Sequence, residues 1–287
     1  MSEIAAPLYV AALAHLLSTF GYITGMSTVP NHALRQLRAG KLAIGLGVRN
    51  ARTVDIAQIA KTSGFDWLFI DGEHSSMDLD VAAQIACASL AVGITPLVRV
   101  AGFEHWHASR ILDNGAQGIF FPHVDSAQEA KRVADACRFP PAGKRSMGGG
   151  LQQTGFASMP IGETARVVNE ETLVAVMIES PQGVANCEAI AAVPGVDALL
   201  IGTNDLCFEM GIPGQFNDAR VGEAYRKVIA ACRKHGKFPG MGGMYTPELL
   251  ERHIAMGVQL ILCGSDFSLL MQAGAARASL VRGFERK

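Results

Sequence analysis

The sequence predicts an α/β protein in which eight strand-and-helix units close into a (β/α)8 barrel. Short apolar runs rich in β-branched residues alternate with amphipathic helical patterns from residue 32 onward, and eight such runs occur before the end of the 287-residue chain. Regular alternation indicates a parallel sheet, and eight units in this length are typical of a barrel. A doubly wound open sheet is the alternative, but Gly45-Leu46-Gly47 lacks the third glycine of a dinucleotide-binding fingerprint.

The boundaries of the elements follow from local signals. Eight runs are predicted as strands: 42–48, 67–71, 95–100, 118–123, 173–179, 198–202, 238–241 and 260–264. Eight segments are predicted as helices: 53–63, 78–92, 104–114, 126–138, 181–193, 217–235, 247–256 and 266–284. Cap-forming residues such as Ser126 and Thr246 precede helical patterns, and Gly64, Gly93 and Gly115 follow them. These signals place a turn at each end of most units.

Composition excludes several classes of protein. The 25 Lys and Arg residues nearly balance the 26 Asp and Glu residues, so the formal net charge is -1 and no basic surface for nucleic acid or anionic membrane is predicted. Hydrophobic residues make up 49% of the chain and charged residues 18%, which predicts a large core. The six cysteines form no C-x-x-C pair, so we interpret them as reduced thiols of a cytoplasmic protein.

The chain begins with an uncharged apolar stretch. No Asp, Glu, Lys or Arg occurs between Ile4 and Asn31, but Pro7 and His15 interrupt the stretch, and Glu3 stands where a signal peptide carries a basic residue. We predict that residues 1–30 are a non-catalytic extension, either an over-long start or an apolar helix that packs on the body or on a neighbouring subunit. Residues 31–287 are predicted to form one barrel domain, with no membrane association.

Polar residues cluster at the predicted carboxyl ends of five consecutive strands, where a barrel places its chemistry. They are Asp71, Glu73 and His74 after strand two, Arg99 in strand three, His123 and Asp125 after strand four, Glu179 after strand five, and Asn204 and Asp205 after strand six. Any one of them has about even odds of being a structural polar group. Agreement over five strands indicates a functional site.

Glu179 and Asp205 follow adjacent strands and are predicted to meet at one mouth. Two carboxylates can hold a divalent cation, and an all-oxygen ligand set favours Mg or Mn over structural zinc. Two protein ligands leave coordination positions for water and for a bidentate 2-oxo acid, whose carbonyl the metal would polarise. The alternative is that Arg99 neutralises both carboxylates in a salt bridge, which leaves His74 without a role.

Several spaced motifs resemble the HpcH/HpaI aldolase family. The matching segments are 65–74 (FDWLFIDGEH), the strand that contains Arg99, 140–145 (PPAGKR), 178–179 (IE) and 194–206 (PGVDALLIGTNDL). The resemblance covers residues 32–285 in order, which makes chance unlikely to explain it. Members include metal-dependent (class II) pyruvate aldolases such as 4-hydroxy-2-oxoheptanedioate aldolase and 2-keto-3-deoxy-rhamnonate aldolase.

The resemblance implies a barrel of the phosphoenolpyruvate/pyruvate type that binds a divalent Mg, Mn or Co ion on Glu179 and Asp205. It also implies a base at His74 supported by Asp71, and an arginine, Arg99, that contacts the keto oxygen of the substrate. Finally, it implies homo-oligomers, namely hexamers built as trimers of dimers that exchange a C-terminal helix. The small-molecule substrate is then a 2-oxo acid.

Elementary chemistry agrees with these assignments. Cleavage of a 4-hydroxy-2-oxo acid into pyruvate and an aldehyde needs a base for the 4-hydroxyl proton, and histidine ordinarily titrates near neutrality. Asp71 is expected to orient the His74 ring. The predicted substrate-binding residues are Arg99, Gly202, Thr203, Asn204 and Asp205, with His123 and Arg145 as weaker candidates, the latter in a lid over the mouth. No lysine falls at a strand end, so a Schiff-base mechanism is not predicted.

Three positions depart from the family pattern and keep alternatives open. Met177 replaces a glutamine of some relatives, Thr203 replaces a common proline, and His123 resembles macrophomate synthase, a decarboxylating relative. Oxaloacetate decarboxylation, or cleavage of an acyl thioester, is therefore the alternative enolate chemistry. A non-catalytic 2-oxo-acid binding protein is the alternative from another class, and it predicts binding without turnover.

Overall fold

Eight parallel strands form a closed barrel in chain order, which confirms the predicted fold class. The computed structural model describes residues 28–285. The strands are β1 (Ala43–Val48), β2 (Trp67–Asp71), β3 (Thr95–Arg99), β4 (Gly118–Phe121), β5 (Leu173–Ile178), β6 (Ala198–Gly202), β7 (Phe238–Gly242) and β8 (Leu260–Ser265). Each predicted strand is present, with ends that differ by at most two residues from the prediction. The last strand pairs with the first, with an irregular register between Gly45 and Gly47.

Eleven helices occur within residues 28–285. They are α1 (His32–Arg38), α2 (Asp55–Thr62), α3 (Leu79–Val92), α4 (His105–Asp113), α5 (Ala127–Cys137), α6 (Ile161–Glu171), α7 (Pro181–Ala191), α8 (Thr203–Glu209), α9 (Ala219–His235), α10 (Pro247–Met256) and α11 (Asp266–Arg282). The sequence does not predict α1, α6 or α8. Neither α6 nor α8 begins with a side-chain cap, so the usual signal for a helix start is absent there.

Helix α1 covers the end of the barrel opposite to the predicted site. Its side chains Ala33, Leu34 and Leu37 are buried and belong to the same cluster as the inward-facing strand residues. The Ala33 amide donates to Thr95 Oγ1 over 3.0 Å, and the Asn31 side-chain amide donates to the Gln117 carbonyl over 3.0 Å. Since these partners lie where β3 and β4 begin, α1 closes the amino-terminal end of the barrel.

Aromatic rings fill the barrel interior above α1. Trp67 stacks on Phe120 with ring centroids 5.6 Å apart, and Phe69 lies 4.9 Å from Phe120. A Cβ atom at Gly45 would overlap the Trp67 indole, so β1 can pass this ring only with glycine at that position. The interior is therefore a packed core beneath the carboxyl ends of the strands.

Two further expectations concern the cysteines and the apolar start of the chain. All six cysteines are free thiols, as the sequence predicts, and four of them are buried. Within residues 28–285 no helix has the length and apolar character needed to span a bilayer. Nearly all of the predicted N-terminal extension, residues 1–27, lies outside the described residues.

Candidate active site

A cavity of about 250 Å³ opens at the carboxyl ends of the strands. It brings together eight residues that the sequence predicts for the site: Asp71, His74, Arg99, Glu179, Gly202, Thr203, Asn204 and Asp205. His123 and Arg145, the two weaker candidates, do not line it. The cavity wall also contains Arg49 and Tyr245, which the sequence analysis did not identify because strand-end position alone does not show where a side chain points.

The wall formed by β2 and β3 carries a neutralised charge cluster. Arg99 donates from Nε to Asp71 Oδ1 over 3.0 Å and from Nη2 to Asp71 Oδ2 over 2.7 Å. Its Nη1 lies 2.8 Å from Glu73 Oε2. Burial raises the pKa of Asp71, but the hydrogen bonds and the charge of Arg99 outweigh it and lower the pKa below its ordinary value. Asp71 is therefore held as a carboxylate by Arg99.

His74 lies at the edge of this cluster with its ring in the mouth. Its side chain is 51% exposed, and ring Nε2 lies 3.7 Å from Glu73 Oε2. The Asp71 carboxylate accepts the backbone amide of His74 over 3.2 Å, while its two oxygens bind Arg99. The expectation that Asp71 orients the imidazole is therefore corrected: Asp71 fixes the backbone turn that carries His74, and Glu73 is the carboxylate nearest to the ring.

Glu179 follows β5 and is buried in the opposite wall, with 1% of its surface exposed. The His123 amide donates to Glu179 Oε2 over 2.8 Å, in a turn where His123 adopts a positive φ of 50°. Burial, with a smaller contribution from the Asp205 charge, raises the pKa of Glu179 to about 7 against the lowering effect of the His123 amide. Glu179 is thus a carboxylate that lacks a strong cationic partner.

Glycine at residue 202 makes room for this carboxylate. A Cβ atom there would overlap Glu179 Oε1 and lie 2.7 Å from Cγ, far inside ordinary contact. Gly202 ends β6, and α8 begins at the next residue, so the close approach brings Glu179 against the strand that leads to Asp205. Glu179 and Asp205 both line this cavity.

Asp205 lies in the first turn of α8, and the start of this helix is tied to two other elements. Thr203 Oγ1 donates to the Gly242 carbonyl at the end of β7 and lies 2.8 Å from the Tyr225 hydroxyl of α9. Both Thr203 and Tyr225 are fully buried. Thr203, noted above as a departure from the family pattern, thus fixes the start of α8 through its hydroxyl group.

The chemistry of the acidic wall fits a divalent cation. Glu179 and Asp205 are hard oxygen donors, and within residues 28–285 neither of them pairs with Lys or Arg. Burial raises the pKa of Glu179. The positive charge of a bound cation would favour the ionised carboxylate and so offset this effect. The described residues contain no group of three or more His, Cys, Asp and Glu side chains placed for a metal ion. Two carboxylate ligands, the set predicted from the sequence, would leave most coordination positions of a metal ion free for other ligands.

Two weaker candidates lie outside the cavity. Arg145 is buried, donates to Asp113 Oδ1 over 2.7 Å and lies 4.3 Å from the Phe139 ring centroid, so its assignment as a substrate-binding lid residue is corrected. The proline-rich loop that precedes it directs the guanidinium inward, which the sequence does not reveal. His123 donates its backbone amide to Glu179, and its exposed ring lies with Nδ1 3.7 Å from the same carboxylate.

Fold and site together define a class of protein: a (β/α)8 enzyme whose cavity is lined by the Glu179 and Asp205 carboxylates, a histidine and a buried arginine. Comparison with known proteins agrees. The model of the HpcH/HpaI aldolase/citrate lyase family matches residues 48–273. A 4-hydroxy-4-methyl-2-oxoglutarate aldolase of Chaetomium globosum is 42% identical over 264 residues, which cover 89% of this chain and 97% of that protein.

Two further relatives extend the comparison. A 4-hydroxy-2-oxovalerate aldolase of Rhodococcus jostii is 33% identical, covering 88% of this chain and 97% of that protein. The crystal structure of an HpcH/HpaI aldolase from Desulfitobacterium hafniense superposes with a TM-score of 0.84 at 28% identity, covering 88% of this chain and 97% of that one. The chain belongs to the HpcH/HpaI aldolase/citrate lyase family. The predictions of family, fold and an aldolase-type lyase are confirmed.

Proposed function

We propose that the protein cleaves, and in reverse forms, the C3–C4 bond of 4-hydroxy-2-oxo acids with the help of a divalent cation, Mg, Mn or Co. One observation carries this proposal: Glu179 and Asp205, which pair with no Lys or Arg among the described residues, share a cavity with His74 and an Arg99 that is already paired. Relatives named for 4-hydroxy-2-oxo acids support the substrate class. The products are pyruvate and a carbonyl compound.

The acidic wall supplies the electrophilic side of the reaction. Glu179 and Asp205 would hold the cation, which when bound supplies a Lewis acid for the 2-oxo group. The His123 amide and the space left by Gly202 fix the Glu179 carboxylate in place. Gly202, Thr203, Asn204 and Asp205 line the part of the cavity next to this pair, and we assign them to the 2-oxo acid end of the substrate.

The wall formed by β2 and β3 carries the residue that we assign to proton transfer. Retro-aldol cleavage removes the 4-hydroxyl proton, turns C4 into a carbonyl, and leaves the electron pair of the broken bond on C3 as the enolate of pyruvate. His74, exposed at the mouth, accepts the hydroxyl proton, directly or through a water molecule. The two hydrogen bonds to Asp71 fix the orientation of the Arg99 guanidinium. We assign this cation to stabilising the negative charge on the enolate oxygen.

A direct test measures pyruvate release from a panel of 4-hydroxy-2-oxo acids with and without a chelator. We expect release that chelation abolishes and that added Mg, Mn or Co restores. The panel includes oxaloacetate. If carbon dioxide is released from oxaloacetate faster than pyruvate is released from the 4-hydroxy-2-oxo acids, decarboxylation is the main activity. Borohydride trapping of a lysine adduct with pyruvate, or turnover unaffected by the chelator, would overturn the proposal.

We infer that the active form is a homo-oligomer in which α11 packs on a second copy of the chain. This helix has 17 residues and buries none of them in the described protomer. Its apolar side chains Leu270, Met271 and Leu280 are 72%, 58% and 57% exposed. Light scattering should report an oligomer, with the hexamer as the expected state, and Leu270→Lys should reduce its mass.

The remaining assignments concern the start of the chain and its location. Because α1 lies at the end of the barrel remote from the cavity, we infer that residues 1–30 form a non-catalytic extension beside a single barrel domain. Deletion of residues 1–25 should leave kcat unchanged. Six free thiols suit a reducing compartment, and we assign the protein to the cytoplasm.

A further inference from the structure

We propose that Arg49 binds a second carboxylate of the substrate, so that the preferred substrates are 4-hydroxy-2-oxo dicarboxylic acids; this inference rests on the proposed function. Arg49 directly follows β1 and lines the cavity. Its side chain is 43% exposed, although it contacts the charge cluster of the β2 and β3 wall. A positive group held at the mouth is suited to the distal end of a bound acid.

Arg99 cannot serve the distal carboxylate. Its guanidinium is only 8% exposed, binds both oxygens of Asp71 and also contacts Glu73 at 2.8 Å. Arg49 and Arg99 are the two arginines among the residues that line the cavity, and the lining contains no lysine. Of these two cations, Arg49 is the more exposed and the less paired, so it is the one available to a second carboxylate.

The backbone that carries Arg49 is held in place on both sides. The Asp266 carboxylate, at the start of α11, accepts the amides of Arg49, Asn50 and Ala51 over 3.0, 2.9 and 2.7 Å. The Arg49 carbonyl accepts from Arg52 Nη1 over 2.9 Å. Such preorganisation lowers the entropic cost of binding, because the arginine need not be ordered by its ligand.

The side chain of Arg49 is directed across the turn that carries His74. Nη2 donates to the His74 carbonyl over 2.9 Å, and Nε lies 3.4 Å from Asp71 Oδ2. A guanidinium has five N–H donors, so these two contacts leave donors for a ligand. Arg49 is bonded to the backbone of His74, the proposed base for the 4-hydroxyl proton, and both residues line the cavity, so we place the substrate atoms beyond C4 near Arg49. A carboxylate there can be bound in the bidentate manner typical of arginine.

The test compares two substrates that differ only at the distal end. 4-Hydroxy-2-oxoglutarate carries a carboxylate where 4-hydroxy-2-oxovalerate carries a methyl group. We expect kcat/KM of the metal-loaded wild type to favour the dicarboxylate by about 10- to 100-fold, the range of one charge-assisted hydrogen-bonded contact. In Arg49→Met, which keeps an unbranched apolar side chain, this ratio should fall to near one, and Arg49→Lys should retain part of it.

A matched control and a binding measurement complete the design. Arg132→Met removes an exposed arginine of α5 that does not line the cavity and should leave the ratio unchanged. Competitive inhibition by 2-oxoglutarate and by 2-oxovalerate, which lack the reacting hydroxyl, measures the same preference without turnover. The inhibition constants should differ in the wild type and converge in Arg49→Met, even if loss of the His74 contact lowers kcat.

The outcomes separate the two levels of the proposal. If the wild type cleaves both substrates equally well, or if Arg49→Met lowers both rates and both inhibitor affinities by one common factor, Arg49 does not select a dicarboxylate and the inference is wrong. The aldolase function stands in that case. If the metal-loaded wild type releases pyruvate from neither substrate nor from the wider panel, the proposed function itself fails.

Discussion

The two walls of the cavity each contain a buried carboxylate, but the pairing of the two carboxylates and the direction of their pKa shifts are opposite. On the β2 and β3 side, Asp71 forms a bidentate pair with Arg99, and its pKa is lowered. On the β5 and β6 side, Glu179 accepts one backbone amide, contacts no Lys or Arg within residues 28–285, and its pKa is raised to about 7. The Asp71–Arg99 pair of the first wall is already formed. In the second wall, Glu179 has no Lys or Arg partner among the described residues.

This difference predicts which wall of the cavity would change its structure when a metal ion binds. A buried ion pair broken by removal of one partner is costly, whereas a buried unpaired carboxylate gains when a cation arrives. We therefore expect the β2 and β3 wall to keep one geometry throughout the reaction. The β5 and β6 wall should respond to metal, proton and substrate together.

The largest expected effect comes from the acidic wall. Glu179→Gln and Asp205→Asn each remove one of two carboxylates, so metal-dependent turnover should fall below detection and calorimetric metal binding should be lost. Glu163→Gln, at an exposed position of α6, is the matched control and should behave as the wild type. Normal turnover in either site variant would contradict the metal assignment.

Next in size is the loss of the proposed base at the border of the two walls. His74→Ala should lower kcat by about 10²- to 10⁴-fold, the usual contribution of a positioned acid or base. Metal affinity should stay unchanged, since His74 belongs to the other wall. The measurement is steady-state kinetics beside metal titration. Full activity in His74→Ala would remove His74 from the mechanism.

A stability measurement contrasts the walls directly. Asp71→Asn leaves the buried Arg99 with only Glu73, and should lower the free energy of unfolding by on the order of 3 kcal/mol. Glu179→Gln, in the metal-free protein at pH 8, should instead raise it by on the order of 2 kcal/mol, because a neutral amide replaces a carboxylate that burial disfavours. Chemical denaturation of both variants decides the point; changes of the same sign would contradict the contrast.

The space at Gly202 gives a more local perturbation of the acidic wall. Gly202→Ala introduces a Cβ atom that overlaps the Glu179 carboxylate, so this side chain must move. Metal affinity should fall by about 10- to 100-fold, as when groups that orient metal ligands are changed. The control Gly162→Ala has no atom within 4 Å of the added carbon and should leave affinity intact. Equal affinity in both variants would show that Glu179 is not held as described.

The smallest effect concerns pH. The folded-state pKa of Glu179, about 7, exceeds its ordinary value of 4.5, so this group stabilises the metal-free fold below pH 4.5, and that contribution is lost as the pH rises through 7. Protons compete with the cation in the same range. Metal affinity should therefore rise about tenfold per pH unit below 7 and level off above it. Titrations from pH 5.5 to 8.5 test this, and a flat profile would contradict the raised pKa.

The sequence predicts the barrel well because its strands are buried on both faces and read as continuous apolar runs, as in Val174–Ile178. It also predicts where those strands end to within two residues. It does not predict side-chain direction: Arg145 is buried against Phe139, whereas Arg49 lines the cavity. Such choices depend on packing between segments far apart in the chain.

The sequence does not predict α8 for a related reason. Helix α8 starts directly after Gly202 with no side-chain cap, and its position is set by the Thr203 bonds to Tyr225 and Gly242. The partner of Asp71 was also misjudged, because a two-pronged contact from Arg99 requires the β2 and β3 register that pairs these two residues directly. Sequence spacing alone carries no information on that register.

The helix that seals the bottom of the barrel also determines where attachments to the chain can be made. Asn31 is bonded to the loop ahead of β4 and to the end of α6, so any segment fused ahead of residue 28 departs from the face turned away from the substrate. An affinity tag or a surface tether placed there leaves the entrance unobstructed. Immobilised enzyme oriented in this way presents its open mouth to the bulk solution.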